Sequence, residues 1–328
     1  MSDGADGPAD ESIPGGAGAT RLLRVVMPVS DLAGAVAFYR DALGFALSGT
    51  RLRGGDGFAR ATGLAHARAE VATLRLGGQV VGLERHGTPG RPYPAGSRSQ
   101  DLWFQHVAVI VADMDAACRR LRATGCAAIS RDGPEQLPES SGGVLAFKFR
   151  DPEGHPLELL RVPAGREPEP WRARAAAARQ GGEPCLGLDH SAIGVADAER
   201  SARFYAALLG LTKTQAGVNG GPAQSRLDDA AGAVVDVVAM TPPAAPTPHV
   251  ELLGYRAPAD GQPMPADATA ADILATRLVL EVADLDTAAA ALRRAGTRFV
   301  TAGVVEGDEG RVAMVRDPDG HLLVLAQT

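Results

Sequence analysis

The stretch DLWFQHVAVIVADMD at residues 101–115 matches DILATRLVLEVADLD at residues 272–286, from the leading aspartate to the closing one. In both stretches, apolar side chains alternate along a short run that ends in Val-Ala-Asp. Alternation with a period of two predicts a β-strand, and the aspartate is a typical N-cap for a following helix. One difference breaks the match, because His106 of the first stretch is replaced by Arg277 in the second. The repeated strand has kept its pattern and exchanged its histidine for a permanent positive charge.

Two further segments share this opening, so the chain contains four copies of it: RVVMPVSD (24–31), HVAVIVAD (106–113), HSAIGVAD (190–197) and RLVLEVAD (277–284). An amphipathic stretch follows each copy and is predicted to form a helix that ends at a glycine, namely Gly44, Gly125, Gly210 or Gly296. Shorter apolar stretches after each helix predict antiparallel strands. We therefore expect four β-α-β-β-β modules.

The modules fall into two classes that alternate along the chain. The first and third carry a Phe-Tyr pair on the helix, whereas the second and fourth end in DPEGHPLELL (151–160) and DPDGHLLVLA (317–326). The duplicated unit therefore spans two modules. We predict modules at 21–90, 101–162, 186–256 and 272–328, a Pro/Gly-rich linker at 163–184 and a disordered tail at 1–20.

Bulk properties exclude several classes of function. A net charge of −6 gives no electrostatic reason to expect a nucleic acid or an anionic membrane as partner. The three cysteines show no CxxC spacing, and no secretory signal or apolar span is recognisable. We expect a cytoplasmic monomer or homodimer that acts on a small-molecule substrate.

The four-module plan, with its strand-Asp-helix openings and DPxGHxL endings, resembles the vicinal oxygen chelate superfamily, which includes glyoxalases, bleomycin resistance proteins and extradiol dioxygenases. The resemblance covers nearly everything from Arg21 to Thr328. It implies an α+β fold in which modules pair into two curved half-barrel cups. It also implies one divalent metal ion, without distinguishing Zn, Ni, Co, Mn and Fe.

In that family each module can offer a ligand at the start of its first strand and a carboxylate near the end of its last strand. The resemblance places these positions at Arg24, His106, His190 and Arg277 for the first strands, and at Glu84, Glu158, Glu251 and Val324 for the last strands. Matched positions lie 166 to 171 residues apart, which supports this register.

The ligand set depends on which modules pair. If neighbours in sequence pair, Glu84, His106 and Glu158 form a three-ligand site beside Arg24, and an arginine cannot ligate a cation. If the second module pairs with the third, His106, Glu158, His190 and Glu251 share one cup as metal ligands. We favour this crossed pairing, in which Arg24, Arg277 and Glu84 neutralise one another in the other cup, and the sequential alternative stays open.

The remaining histidines are assigned by their surroundings. His155 and His321 lie in the DPxGH turns and are expected to have structural roles, and His66 and His86 are expected at the surface. His249 precedes Glu251 by two residues, so on a strand both side chains face the same way. His249 is therefore a candidate proton shuttle, although a partly exposed structural histidine is an equal alternative.

These residues predict a metal-dependent lyase or isomerase that moves a proton next to a metal-bound carbonyl, with Glu158 or Glu251 as the catalytic base. An iron-dependent ring-cleaving dioxygenase is a second hypothesis, since such enzymes use two histidines and one carboxylate. A protein that binds a small molecule without catalysis is the third.

Overall fold

The computed structural model describes residues 18–178 and 182–327. The predicted tail at 1–20 lies mostly outside the described residues, although Ala19 and Thr20 belong to the first strand. Within the predicted linker, a short helix begins at Trp171, whose side chain is fully buried. No helix of the described residues combines the length and apolar character needed to cross a membrane.

The first module comprises β1 (Ala19–Pro28), α1 (Leu32–Leu43), β2 (Ala46–Gly54), α2 (Gly55–Thr62), β3 (Arg68–Leu76) and β4 (Gln79–His86). The second comprises β5 (Gln105–Val111), α3 (Met114–Ala123), the short strands β6 (Ala127–Ala128) and β7 (Glu135–Gln136), and then β8 (Leu145–Arg150) and β9 (Pro156–Arg161). The linker helix is α4 (Trp171–Ala178).

The third module comprises β10 (Cys185–Gly194), α5 (Ala198–Leu209), β11 (Thr212–Gly220), α6 (Gly221–Leu227), β12 (Val234–Thr241) and β13 (His249–Ala257). The fourth comprises β14 (Arg277–Val282), α7 (Leu285–Arg294), β15 (Val305–Gly307), β16 (Gly310–Arg316) and β17 (Leu322–Ala326). The predicted α+β class of four modules is confirmed.

The predicted helix ends are confirmed. Each N-cap aspartate, namely Asp31, Asp113, Asp197 or Asp284, accepts a hydrogen bond from the backbone N–H three residues later. The glycine at each C-terminal end has a positive φ, between 68° and 74°, which side chains with a Cβ rarely adopt. Local chemistry therefore sets the length of all four principal helices.

Strands of the first and fourth modules form one sheet, with the order β15-β16-β17-β14-β1-β4-β3-β2. Strands of the second and third modules form the other, nine-stranded sheet, with the order β11-β12-β13-β10-β5-β9-β8-β6 and with β7 paired to β8 beside this path. The joints are the antiparallel pairs β1–β14 and β5–β10. Each sheet therefore combines one module from each half of the duplicated chain.

Alternation along each strand separates the core from the cups. On β5, Val107, Val109 and Val111 belong to the largest buried apolar cluster, which draws residues from all four modules. His106 lies on the opposite face of the same strand, together with Ala108 and Ile110. The core therefore lies on one face of the sheets, and the candidate site lies on the other.

The DPxGH turns tie consecutive modules together on the core side. Asp151 accepts hydrogen bonds from the Tyr39 hydroxyl at 3.1 Å and from the His155 backbone N–H at 2.9 Å. Tyr205 and Asp317 make the same 3.1 Å contact in the second half. His155 and His321 also reach the backbone oxygens of Ile273 and Gly194, so both have the expected structural roles.

We expect Tyr39→Phe to lower the free energy of unfolding by about 1–3 kcal/mol, because the buried Asp151 carboxylate loses a donor. Tyr205→Phe should cost a similar amount, since its environment is repeated. Urea unfolding measures both changes. The control is Arg40→Ala on the same helix as Tyr39, which removes an exposed ion pair with Asp41 and should leave the midpoint of urea unfolding nearly unchanged. Equal effects of Tyr39→Phe and Arg40→Ala would contradict the proposed tie.

Candidate metal and catalytic site

A cavity of about 230 Å³ opens on the nine-stranded sheet. Its wall includes the candidate residues His106, Glu158, His190, His249 and Glu251, and we call it the histidine cup. The register of the central strands pairs His106 with Ala192 and His190 with Ala108. The small alanine opposite each histidine leaves space for the imidazole ring.

Ligand atoms of His106, Glu158 and His190 lie within 4.8 Å of one another, and all three residues are buried. Nε2 of His106 is 3.3 Å from the Glu158 carboxylate, and Nε2 of His190 is 3.7 Å from it. Glu251 approaches from β13, with its carboxylate 3.5 Å from Nε2 of His190. Three of the four predicted ligands thus form a compact group, and the fourth contacts one member of it.

The donor atoms fit a divalent cation. Nδ1 and Nε2 of His106 and Nε2 of His190 are buried and have no hydrogen-bond partner among the described residues. Buried polar atoms without partners are costly, and a metal ion bound by imidazole nitrogens and carboxylate oxygens removes that cost. These donor atoms could therefore hold a first-row divalent ion.

The ring of His190 is held by a residue that the sequence analysis did not single out. Asp189 Oδ2 lies 3.0 Å from Nδ1 of His190, and Asp189 Oδ1 accepts a hydrogen bond from the Trp171 indole at 3.2 Å. With Nδ1 bound to a carboxylate, a neutral imidazole presents the lone pair of Nε2. Asp189 thereby orients the ring toward Glu158 and Glu251.

A β-bulge explains why neighbouring residues of β10 can both reach the cup. The pairing of β10 with β5 shifts register between Leu188 and His190. Leu188 and Ile193 both belong to the core, although a regular strand would turn residues five apart to opposite faces. The extra residue in the bulge allows Asp189 to line the cup beside His190.

The electrostatics of the group favour added positive charge. Burial by itself raises the pKa of Glu158, but Lys148, His106 and His190 outweigh burial and lower it to about 2. Burial lowers the pKa of His190, yet Glu251, Asp189 and Glu158 raise it to about 9. The negative potential at His190 therefore suits a cation.

His106, which belongs to the group, and His249, which lies beside it, differ in their exposure to solvent. Burial, helped by the positive charge of Lys148, lowers the pKa of His106 to about 4, so its ring is neutral at physiological pH. His249 is partly exposed, and its ring centroid lies 5.3 Å from that of His190. Desolvation, followed by the effect of His190, lowers the pKa of His249. His249 and Glu251 both line the cup, as their spacing on one strand predicts.

The other sheet carries a cavity of about 200 Å³ that holds arginines instead of histidines. We call it the arginine cup and define it by Arg24, Arg53, Glu84 and Arg277. Arg277 is buried and donates to the Glu84 carboxylate, as the sequence suggests. Arg24 differs from Arg277, because its guanidinium donates a hydrogen bond of 2.8 Å to Glu309 and not to Glu84.

Residues that the sequence analysis missed complete the neutralisation of the arginine cup. Arg53 lies over the Phe58 ring at 4.5 Å and forms a bidentate pair with Asp308. His86 is buried rather than exposed, so the expectation of a surface position was wrong. It ends β4 two residues after Glu84, with Nε2 3.4 Å from that carboxylate, and it stacks on Phe58. His66 is exposed, as expected.

We expect Glu84→Gln to destabilise the protein by about 3–5 kcal/mol near neutral pH, because Arg277 becomes an uncompensated buried charge. Arg277, His86 and Arg53 outweigh burial and lower the pKa of Glu84 from 4.5 to about 2. Its contribution is therefore complete above pH 4.5 and is lost as the pH falls toward 2. Urea unfolding of wild type and variant at several pH values should show that the difference in their free energies of unfolding shrinks over this range.

Glu70→Gln, which breaks an exposed pair with Arg85, is the matched control and should cost less than about 1 kcal/mol. A difference that stays constant down to pH 2 would contradict this account.

Comparisons with known proteins agree with this architecture. The family model described as "Glyoxalase/Bleomycin resistance protein/Dioxygenase superfamily" matches residues 21–159 and 187–325. A 2-epi-5-epi-valiolone epimerase from Actinomyces sp. is 35% identical over 156 residues, which cover 45% of this chain and 82% of the relative. Glyoxalase I from Zea mays superposes with a TM-score of 0.61 at 18% identity, covering 94% of this chain and 92% of that chain. A putative dioxygenase from Bacillus subtilis superposes with a TM-score of 0.57 at 12% identity, covering 95% and 86% respectively. Because the family model matches both halves of the duplicated chain, this protein belongs to the glyoxalase/bleomycin resistance protein/dioxygenase superfamily.

Proposed function

We propose that this chain is a metal-dependent isomerase or lyase that moves a proton on the carbon next to a carbonyl group of a small, oxygen-chelating substrate. The observation that carries the proposal is the compact group of His106, Glu158 and His190, whose buried nitrogens lack partners within the described part of the chain. Similarity to an epimerase, which is an isomerase, supports an enzyme of this type.

His106, Glu158 and His190 would hold the ion, and Glu251 would complete the set or act from beside it. When bound, a divalent ion supplies Lewis acidity toward a carbonyl oxygen. The protein contributes a cavity that is closed on the core side and positions the substrate among charged groups. The type of metal is left open by these ligand types.

Exposure distinguishes the two candidate bases. The Glu158 side chain is 6% exposed and lies between two imidazoles, whereas the Glu251 side chain is 20% exposed and contacts His190 alone of the three. A base must reach the proton that it removes. We therefore assign proton transfer to a carboxylate oxygen of Glu251 and assign Glu158 to metal binding.

His249 is placed to pass the proton onward. It stands two residues before Glu251 on β13, lines the same cavity and is partly exposed. A neutral imidazole can accept a proton at one nitrogen and release one at the other. In this role His249 connects the base to solvent.

A ring-cleaving dioxygenase is a second candidate, because the compact group contains two histidines and one carboxylate and does not include Glu251. This composition matches the facial triad of non-haem iron oxygenases. Oxygen uptake by the Fe(II)-loaded protein in the presence of catechol is the discriminating measurement. Uptake above that of a His106→Ala variant would favour the dioxygenase over the isomerase.

We expect His106→Ala and His190→Ala each to abolish retention of a divalent metal, because both imidazoles belong to one group. Elemental analysis after chelator-free purification measures the metal content. The matched control is Arg24→Ala, at the position equivalent to His190 in the other cup, which should keep the metal. Retention of a full equivalent of metal by His190→Ala would contradict the assignment.

We expect Glu251→Gln to keep the fold but to slow proton exchange by a factor of about 100 or more, which is the usual contribution of a general base. The measurement is solvent deuterium incorporation into hydroxyacetone and dihydroxyacetone, followed by NMR at equal metal occupancy. Glu199→Gln, which changes an exposed carboxylate paired with Lys213, is the control and should exchange at the wild-type rate. Unchanged exchange in Glu251→Gln would exclude this residue as the base.

A further inference from the structure

A second polar group lies in the histidine cup, apart from the candidate metal ligands. Lys148 on β8 pairs in register with Glu158 and is 3% exposed. Its ammonium lies 2.7 Å from Oδ1 of Asp228, just beyond the end of α6. The other oxygen of Asp228 accepts from the Gln224 amide at 2.7 Å and from the Tyr255 hydroxyl at 2.8 Å. Asp228 is thus fully satisfied and fixes three side chains that line the cavity.

Two of these side chains keep unused hydrogen-bonding capacity toward the cavity. Oε1 of Gln224 is buried and has no partner among the described residues, and the residue as a whole is 5% exposed. An ammonium carries three N–H donors. Within the described part of the chain, Lys148 Nζ donates one hydrogen bond, which goes to Asp228. The cavity therefore offers a buried acceptor beside a buried donor.

A hydroxyl group is the ligand that matches an acceptor beside a donor, because it donates one hydrogen bond and accepts others. It can donate to Gln224 Oε1 while accepting from Lys148 Nζ. Three further polar side chains, Ser141, Gln215 and Asn219, also line the cavity. An alkyl group at the same place would leave the buried polar atoms unpaired, which is unfavourable.

The polar group is specific to the histidine cup. At the positions matched by the repeat, the arginine cup has Met314 in place of Lys148 and Phe58 in place of Gln224. Both replacements line their own cavity. The cup that holds the candidate metal ligands is therefore also the cup that holds the Lys148–Gln224 pair.

From this geometry we propose that Lys148 and Gln224 bind a substrate hydroxyl, and that the substrate is a small polyhydroxylated carbonyl compound rather than a thioester or a thiol adduct. This inference rests on the proposed function for the carbonyl group and adds the second point of attachment. Lys148 and Gln224 act in it as specificity-determining residues. Asp228 acts as a positioning residue.

The test compares 2-keto-myo-inositol, a polyhydroxylated ketone, with cyclohexanone, which has the same ring and no hydroxyl. Binding to the full chain is measured by thermal shift and by ligand-observed NMR, with metal and after metal removal. The variant Gln224→Met removes the free acceptor while keeping the length of the side chain. Gln100→Leu is the control, because this buried glutamine binds Asp260 at 3.1 Å and does not line the cup.

We expect the hydroxylated ketone to stabilise the wild type and Gln100→Leu, with at least tenfold weaker binding to Gln224→Met at unchanged metal content. Cyclohexanone should bind none of them detectably. Equal binding of both compounds, undiminished binding to Gln224→Met, or no binding of the hydroxylated ketone would each overturn the inference. If Gln224→Met does not fold, the charge-balanced double variant Lys148→Met with Asp228→Asn provides the same comparison. A wild type that retains no divalent metal after chelator-free purification and still binds the hydroxylated ketone through Gln224 would contradict the proposed function and leave this inference standing.

Discussion

The antiparallel pairing of first strands between the two halves of the duplicated chain is the constraint on which the rest of the structure depends. β5 pairs with β10 and β1 pairs with β14, so each sheet is continuous across two modules. The first pairing sets His106 and His190 beside each other, and the second sets Arg24 near Arg277. Pairing within each half, of the first module with the second and of the third with the fourth, would instead put an arginine into each cup, and neither cup could then hold a cation without repulsion.

The hydrogen bonds between consecutive modules complement this pairing. In the first and third modules, the principal helix carries a tyrosine that donates to the aspartate of the DPxGH turn in the next module, as Tyr39 does to Asp151. The two modules of each half thus associate through helices and turns, whereas modules from different halves associate through strands. The two kinds of contact use different surfaces, so a duplicated pair of modules can satisfy both.

Much of the architecture could be predicted from the sequence, because the signals are local and repeated. The alternation around His106, the N-cap aspartates and the C-terminal glycines each act within a few residues, and four copies reinforce one another. The family resemblance placed Glu158 and Glu251 at the last-strand carboxylate positions, and the repeat offsets supported that register. These residues meet in one cup because the strand period of two fixes which face they share.

The parts that could not be predicted depend on distant contacts or on irregular backbone. The bulge before His190 lets Asp189 line the cup, and regular alternation would have turned it toward the core. His86 looked like a loop residue, but β4 extends to it and Phe58 covers it. Lys148 carried a usable signal, since it is a lone charge between Phe147 and Phe149 in an apolar strand, whereas its partner Asp228 is 80 residues away.

The charge content of the two cups explains why duplication could separate their roles. In the histidine cup, Glu158, Glu251 and Asp189 surround the histidines, and the ammonium of Lys148 is already paired with Asp228. Negative charge therefore remains at the candidate metal group. In the arginine cup, Arg53 and Arg277 are matched by Asp308 and Glu84, so no comparable excess remains for a cation.

This balance also accounts for the reciprocal exchange of histidine and arginine between matched positions. A histidine that loses its metal would leave a buried nitrogen without a partner, whereas an arginine in the same place binds the neighbouring glutamate directly. Once a cup gives up its cation, an internal guanidinium is the replacement that keeps its carboxylate ionised and paired. Arg277 is therefore best understood as the stabilising counterpart of the candidate metal site, whereas Arg24 pairs with Glu309 instead.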